Sequence, residues 1–243
     1  MENTKILKHI YLDKLFLFFL LIIILTGNFN PFLPYFILLL IHESGHAITG
    51  ILLGYQLDKI TIYPYGGVTS FNLPINIPLK KEFLILIMGP LMQVVGYFIL
   101  KNYFNNMEVL HYTLLIFNLL PIYPLDGGKI FNILCNYSFN YLRSIYITVI
   151  VSIIGIIILF YYHIVHYNLN MLMMLIVLLI KLLEVYQKRY YYYNRLLLER
   201  FLYSYSFSKI KYIKSIKDFY RDREHFINYQ CEKKVLNKYF NMK

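Results

Sequence analysis

Long apolar runs recur along roughly the first three-quarters of the chain, and each can be measured against the ~20 residues that a bilayer-spanning helix needs. Six candidates emerge. The first, Leu15 to Leu25, is short and can be extended through Tyr11 and Leu12 if Lys14 snorkels to the headgroups. Its basic start would suit a signal peptide, but TGNFNPF offers no small-residue cleavage pattern, so it reads as an uncleaved helix. The second runs from about Leu33 to Leu53. The third, Phe83 to Leu100, is interrupted by Gly89-Pro90 and Gln93, which predicts a kink packed against protein. The fourth, Val109 to Leu120, is short and runs into a Pro/Gly cluster. The fifth and sixth, about Ser144 to His163 and Leu169 to Leu183, are nearly uncharged. Between the second and third, Leu57 to Phe71 alternates in part, is rich in Ile, Tyr and Thr, and carries a Pro/Gly-Gly turn. That predicts a β-hairpin, which could either pack on the helices or offer an edge to a substrate strand. The expected fold is therefore an all-α polytopic membrane protein of about six spans, with a small hairpin and a basic tail.

Composition agrees, since 58% hydrophobic and 15% charged residues with a mean hydropathy of +0.52 exclude an ordinary soluble domain. With six spans both termini share one side. That side receives Lys5, Lys8, Lys14, Lys59, Lys80, Lys81, Lys129, Arg143 and the tail, and the other receives Lys101, which puts both ends in the cytoplasm. Cys135 and Cys231 would then both be cytoplasmic and reduced. The net charge of +11 is largely a property of the tail, because 14 of the 24 Lys+Arg follow Gln187. There, basic residues interleave with tyrosines. Such a pattern can bind nucleic acid, but its position just inside the last span favours an anionic membrane surface instead.

Within the second apolar run stands Ile41-His-Glu-Ser-Gly-His-Ala47. On a helix His42 and His46 lie one above the other, close enough to ligate one metal ion. Glu43, at the edge of that face, can reach an attacking water as a general base. Gly45 removes a side chain and lets another backbone approach. Each ionisable group at this depth costs about 2.5 kcal/mol or more, so three within five residues call for a partner such as zinc.

Catalytic zinc usually has three protein ligands, and few further donors lie at membrane depth. His111, His163 and His166 read as interfacial groups, and Glu184 is paired by spacing with Lys181. Asp126 remains, in Asn118-LLPIYPLDGG-Lys129. It could face a metal from a broken helix beside a cavity, or sit in a solvated Asp-Gly turn. Spacing leaves both readings open.

IHESGHA in a second span, GP in the next and NLLPIYPLDGGKI beyond resemble the site-2 protease family of intramembrane zinc metalloproteases. TIYPYGGV, MGPL and RLLLERF are in keeping with its stage IV sporulation protein FB branch. Over about Leu15 to Phe201, the resemblance implies one zinc per chain, Asp126 as its third ligand, and Asn118 as a group binding substrate or oxyanion. It implies a protease domain over 1–186 and a tail over 187–243 that is at best a reduced remnant of a CBS domain. It also implies a substrate brought to the membrane, a precursor of a sporulation sigma factor, with regulatory membrane proteins as further partners and a membrane around the forespore as the location. Two other classes remain. One is a site-2-type protease of an envelope-stress pathway, against which the absence of an inserted PDZ-like domain tells. The other is a non-enzymatic metal-binding membrane protein.

Overall fold

The computed structural model describes residues 10–26, 29–63, 66–167, 169–203 and 205–241. Lys5 and Lys8, and the Pro64-Tyr65 part of the expected hairpin turn, lie outside the described residues. The chain divides into two compact units. The first comprises Met1–Leu73 and Phe83–Leu119, and the second Pro74–Glu82 and Leu120–Lys243.

The first unit begins with strand β1 (Ile10–Leu12) and helix α1 (Lys14–Thr26), followed by α2 (Phe29–Leu52). Tyr11 and Leu12 thus do not extend the first helix as their hydrophobicity suggests. They pair in parallel with β2 (Leu57–Tyr63) in the register Ile10↔Ile60 to Leu12↔Ile62, and the Asp13 N–H continues the ladder to the Ile62 carbonyl. Satisfying main-chain groups in a sheet outweighs one more helical turn. The expected hairpin forms from β2 and β3 (Gly66–Phe71), antiparallel, with Ile62 opposite Gly67 and Ile60 opposite Thr69. The sheet order is β1-β2-β3, so β3 is an edge strand.

Helices α3 (Leu79–Leu100) and α4 (Met107–Leu119) complete this unit, although α3 begins in the second one. Phe16, Leu38, Leu39, Ile62, Met107 and Leu114 form its core, fringed by Tyr97, Leu100 and Leu110. Two glycines let α3 close on α2. A Cβ on Gly45 would stand 2.4 Å from the Met88 carbonyl oxygen, and one on Gly96 would stand 2.8 Å from Ile41. Pro90 lies inside α3, which continues through it.

In the second unit an irregular segment, residues 120–125, leads into α5 (Asp126–Ser138), followed by α6 (Tyr141–His166) and α7 (Leu169–Leu202). The broken backbone expected from Pro121 and Pro124 is present, with a cis bond between Tyr123 and Pro124, but Gly127 and Gly128 do not form the bend expected of them: they lie in the first turn of α5. It is pinned to α6: Ser152 Oγ accepts from the Tyr123 N–H at 2.9 Å, and a Cβ on Gly155 would stand 2.6 Å from Ile122. Helix α7 runs unbroken from apolar residues through the tyrosine-rich stretch to Leu202.

Beyond it the chain folds again, as β4 (Ile210–Ile213), a 3-10 turn at Ile216–Asp218, β5 (Glu224–Ile227), β6 (Gln230–Cys231) and α8 (Glu232–Asn241). Strands β4 and β5 are parallel, β5 and β6 antiparallel. Phe219, Ile213, Ile227 and Leu236 share a core with Leu196 and Leu197 of α7. Burying a side chain the size of Phe219, fully enclosed, contributes roughly 1.5–3 kcal/mol.

A buried Arg200 ties the pieces together. Its Nε donates to Asn76 Oδ1 at 2.7 Å, its Nη1 to both Glu232 oxygens at 3.0 and 3.1 Å, and its Nη2 to the Tyr220 and Arg221 carbonyls at 2.7 Å each. A guanidinium can be buried only when its fork is met in this way.

Among the described residues, three helical segments are long and apolar enough to cross a membrane: Phe32–Leu52, Leu79–Leu100 and Tyr141–His166. Helices of this length and apolar character are those of an integral membrane protein.

Candidate metal centre

The IHESGHA stretch lies in the C-terminal half of α2, where the helical pitch places His42 and His46 on one face. Both are buried, at 1% and 5% exposure, and Glu43 at 4%. The two Nε2 atoms stand 3.2 Å apart.

The other ring nitrogens decide what those atoms carry. His46 Nδ1 is 2.8 Å from the Ile85 carbonyl oxygen, which can only accept, so Nδ1 bears the hydrogen and Nε2 a lone pair. His42 Nδ1 is 3.0 Å from Gln93 Oε1, whose amide Nε2 donates to the His111 carbonyl at 3.0 Å. His42 is therefore also an Nδ1–H tautomer. The two Nε2 lone pairs point into the same space, as those of two ligands to one cation do. Zinc–nitrogen bonds of about 2.0–2.1 Å at a tetrahedral ion separate two nitrogens by roughly 3.3 Å, so the residues present fit zinc. Gly89 makes room for the ring, since a Cβ there would stand 2.2 Å from His46 Nε2.

Glu43 is held from the hairpin. Thr69 Oγ1 donates to Glu43 Oε2 at 2.6 Å, and a Cβ on Gly67 would stand 2.4 Å from Glu43 Cγ. Alternation along β3 explains this, because Gly67, Thr69 and Phe71 share a face. Phe71 rests against Gly50 one helical stretch further on.

In the second unit Asp126 is the first residue of α5 and is buried at 7% exposure. It is no solvated turn residue. Lys129 Nζ lies 3.6 Å from its Oδ1. Gly128 is required beside it, since a Cβ there would stand 2.4 Å from the Ile122 carbonyl carbon and 2.5 Å from the Tyr123 nitrogen. Asn118 is half-buried near the end of α4. His111, expected at an interface, is instead buried and stacked on Tyr97 with centroids 4.4 Å apart. Glu184 pairs with Lys181 at 3.2 Å, as spacing predicts, and with Lys188 at 2.7 Å.

Helical spacing brings the two imidazoles and the carboxylate between them together, but nothing in it points to the groups that meet them: Gln93, Thr69, Gly67, Gly89 and the Ile85 carbonyl. A signal existed for Gln93, an amide isolated in an apolar span, which needs a buried partner.

Residues 97–162 match the model of Peptidase family M50. The chain is 33% identical over 117 residues to Stage IV sporulation protein FB of Bacillus subtilis, covering 44% of this chain and 41% of that one. It is 32% identical over 149 residues to a zinc metalloprotease of Methanocaldococcus jannaschii, covering 53% and 43%. It thus spans about two fifths of the length of these relatives. The fold is similar to that of a solved Site-2 Protease from Methanocaldococcus jannaschii, with a TM-score of 0.56 and 25% identity over 72% of this chain and 89% of that one. In sequence and in fold the chain is similar to the site-2 proteases of this peptidase family.

Proposed function

We propose, from that kinship, that the protein is an intramembrane zinc metalloprotease that hydrolyses a peptide bond of a membrane-associated protein. The observation that carries this is the convergence of two Nε2 lone pairs, with a buried carboxylate one residue along, inside an apolar helix. His42 and His46 hold the metal. Asp126 is the third ligand; a buried carboxylate opening a helix, after a break in an apolar run, supports that role.

When bound, zinc lowers the pKa of a water toward ~7 and polarises the scissile carbonyl. Glu43 takes the proton of the attacking water and returns it to the leaving amine. Thr69, by donating to Oε2, fixes the carboxylate's rotamer. Asn118 binds the substrate or stabilises the developing oxyanion. A helical substrate must unwind to expose its carbonyls, and β3, an edge strand lying over Glu43, can hold it extended.

The chain crosses the bilayer six times with both termini cytoplasmic, a reading supported by the Lys and Arg distribution. Residues 1–186 form the protease domain. The tail from 187 is a reduced CBS remnant, supported by the short strand, turn, strand, strand, helix order of β4 to α8. Likeness to Stage IV sporulation protein FB supports a sporulation sigma-factor precursor as substrate, regulatory membrane proteins as partners, and a membrane around the forespore as the location.

Glu43→Gln tests the mechanism. Co-expressed with such a precursor, the variant should keep its zinc and its membrane insertion while cleavage falls by roughly 10²–10⁴-fold. Persistent proteolysis would sink the assignment. Asp126→Asn should lower both zinc content and cleavage; if both survive, the third ligand is another residue.

A further inference from the structure

The two imidazoles are oriented by different kinds of group. His46 is held by a main-chain carbonyl, that of Ile85, whereas His42 is held by the side chain of Gln93, 51 residues away. Gln93 is fully buried in α3, so its amide must be met by protein.

The amide has one workable orientation. Its Nε2 lies 3.0 Å from the His111 carbonyl oxygen, with His111 Nδ1 further off at 3.4 Å. Turned over, it would set Oε1 against that carbonyl, two acceptors at hydrogen-bond distance, and present N–H to an Nδ1 that would have to give up its own hydrogen. With the amide as found, Oε1 faces His42 Nδ1, and the hydrogen stays there. His111 is itself fixed, because its ring stacks at 4.4 Å and 13° on Tyr97, one turn along α3 from Gln93. Carried on α3, the amide is thus held from two sides, by His42 of α2 and His111 of α4.

We infer that Gln93 is a positioning residue of the metal centre, which through its amide locks His42 in the Nδ1–H tautomer and aims its Nε2 at the metal. This rests on the reading of the centre given above. Groups that accept the outer N–H of a ligating histidine set its tautomer, its ring orientation and its basicity. Gln93 has no contact with the reacting atoms in this role. It acts through His42.

The full chain in nanodiscs, titrated with zinc against a chromophoric chelator, tests this. Gln93→Leu should weaken zinc binding roughly 10–100-fold. Gln93→Glu should recover most of that loss, since a carboxyl oxygen there can still accept from His42 Nδ1. In metal-free protein, ¹⁵N imidazole shifts should show His42 as the Nδ1–H tautomer in the wild type and mixed tautomers in Gln93→Leu. The thermal midpoint of the metal-free form identifies a variant that fails to fold. Undiminished zinc binding by a folded Gln93→Leu, or an equal loss in both variants, would overturn the inference. So would an Nε2–H tautomer at His42 in the metal-free wild type, whatever the variants do. A wild type that binds no zinc would overturn the metal-centre reading and this inference with it.

Discussion

His42 in the first unit and His225 in the second are buried alike, at 1% and 0% exposure, and each donates from Nδ1 to a side-chain oxygen. They differ at Nε2. In His225 that nitrogen accepts the Tyr220 N–H at 2.9 Å, and the ring lies on Phe219 with centroids 4.4 Å apart. In His42 it faces the lone pair of a second imidazole at 3.2 Å. The first arrangement completes a hydrogen-bond network. The second suits a cation. Burial and a bonded Nδ1 therefore do not mark a ligand; the group that Nε2 meets does.

The sharpest way to break this comparison is to remove each ring. His42→Ala should abolish zinc binding, measured as metal content of the purified protein. His225→Ala should leave that content unchanged and destabilise the second unit by about 1–3 kcal/mol, because Glu232 and the Tyr220 N–H each lose the bond that the ring makes to them. Zinc loss from both variants would erase the distinction.

Thr69→Val acts one step out from the centre. A hydrogen bond to a charged group contributes about 1.5–3 kcal/mol, so if it holds Glu43 in its working rotamer, turnover should fall roughly 10–100-fold with zinc content intact. Equal turnover in a cleavage assay would assign Thr69 to packing alone.

The smallest effect is one of pH, and it belongs to His225 and its partner. Burial holds the His225 pKa below its ordinary 6.5, against the pull of Glu232. For Glu232 burial raises the pKa, but the bonds from His225 and Arg200 outweigh it and leave the carboxyl below its ordinary 4.5. In both cases the unfolded chain binds protons before the folded one does. Stability from His225 is thus complete above pH 6.5 and lost as pH falls from there through its folded value. That from Glu232 is lost below 4.5 in the same way. Amide exchange in β5, which contains His225, should show less protection at pH 5 than at pH 7.5 after correction for intrinsic rates. Protection independent of pH would mean that His225 takes its proton without disturbing the network.

Much of the candidate centre was legible because its spacing is local. Four residues along a helix bring two imidazoles together whatever surrounds them, and period-2 alternation made the hairpin readable down to its outer limits at Leu57 and Phe71. The 3-position gap between Lys181 and Glu184 was readable for the same reason. Tyr11 and Leu12 were misread because β1 forms by pairing with residues about fifty positions away, and an apolar tripeptide has no period of its own. The tail was obscure for a related reason. Its strands have four, four and two residues, too short to show a period, and its core closes around Arg200, whose partners range from Asn76 to Glu232.

What the sequence by itself determined is where polar side chains interrupt apolar runs: His42, Glu43 and His46 within one helix, Asp126 after the break that ends a later one, and a hairpin between. Helix pitch and strand pleat are properties of the backbone, so periodic features of this kind need no knowledge of the rest of the chain. Tertiary structure alone decided which acceptor holds each imidazole, and hence which nitrogen carries the lone pair. It also decided that β3 covers Glu43 and that a short basic tail has a folded core. Those outcomes depend on which distant groups can satisfy a buried polar atom, and that is settled only when the chain has closed around it.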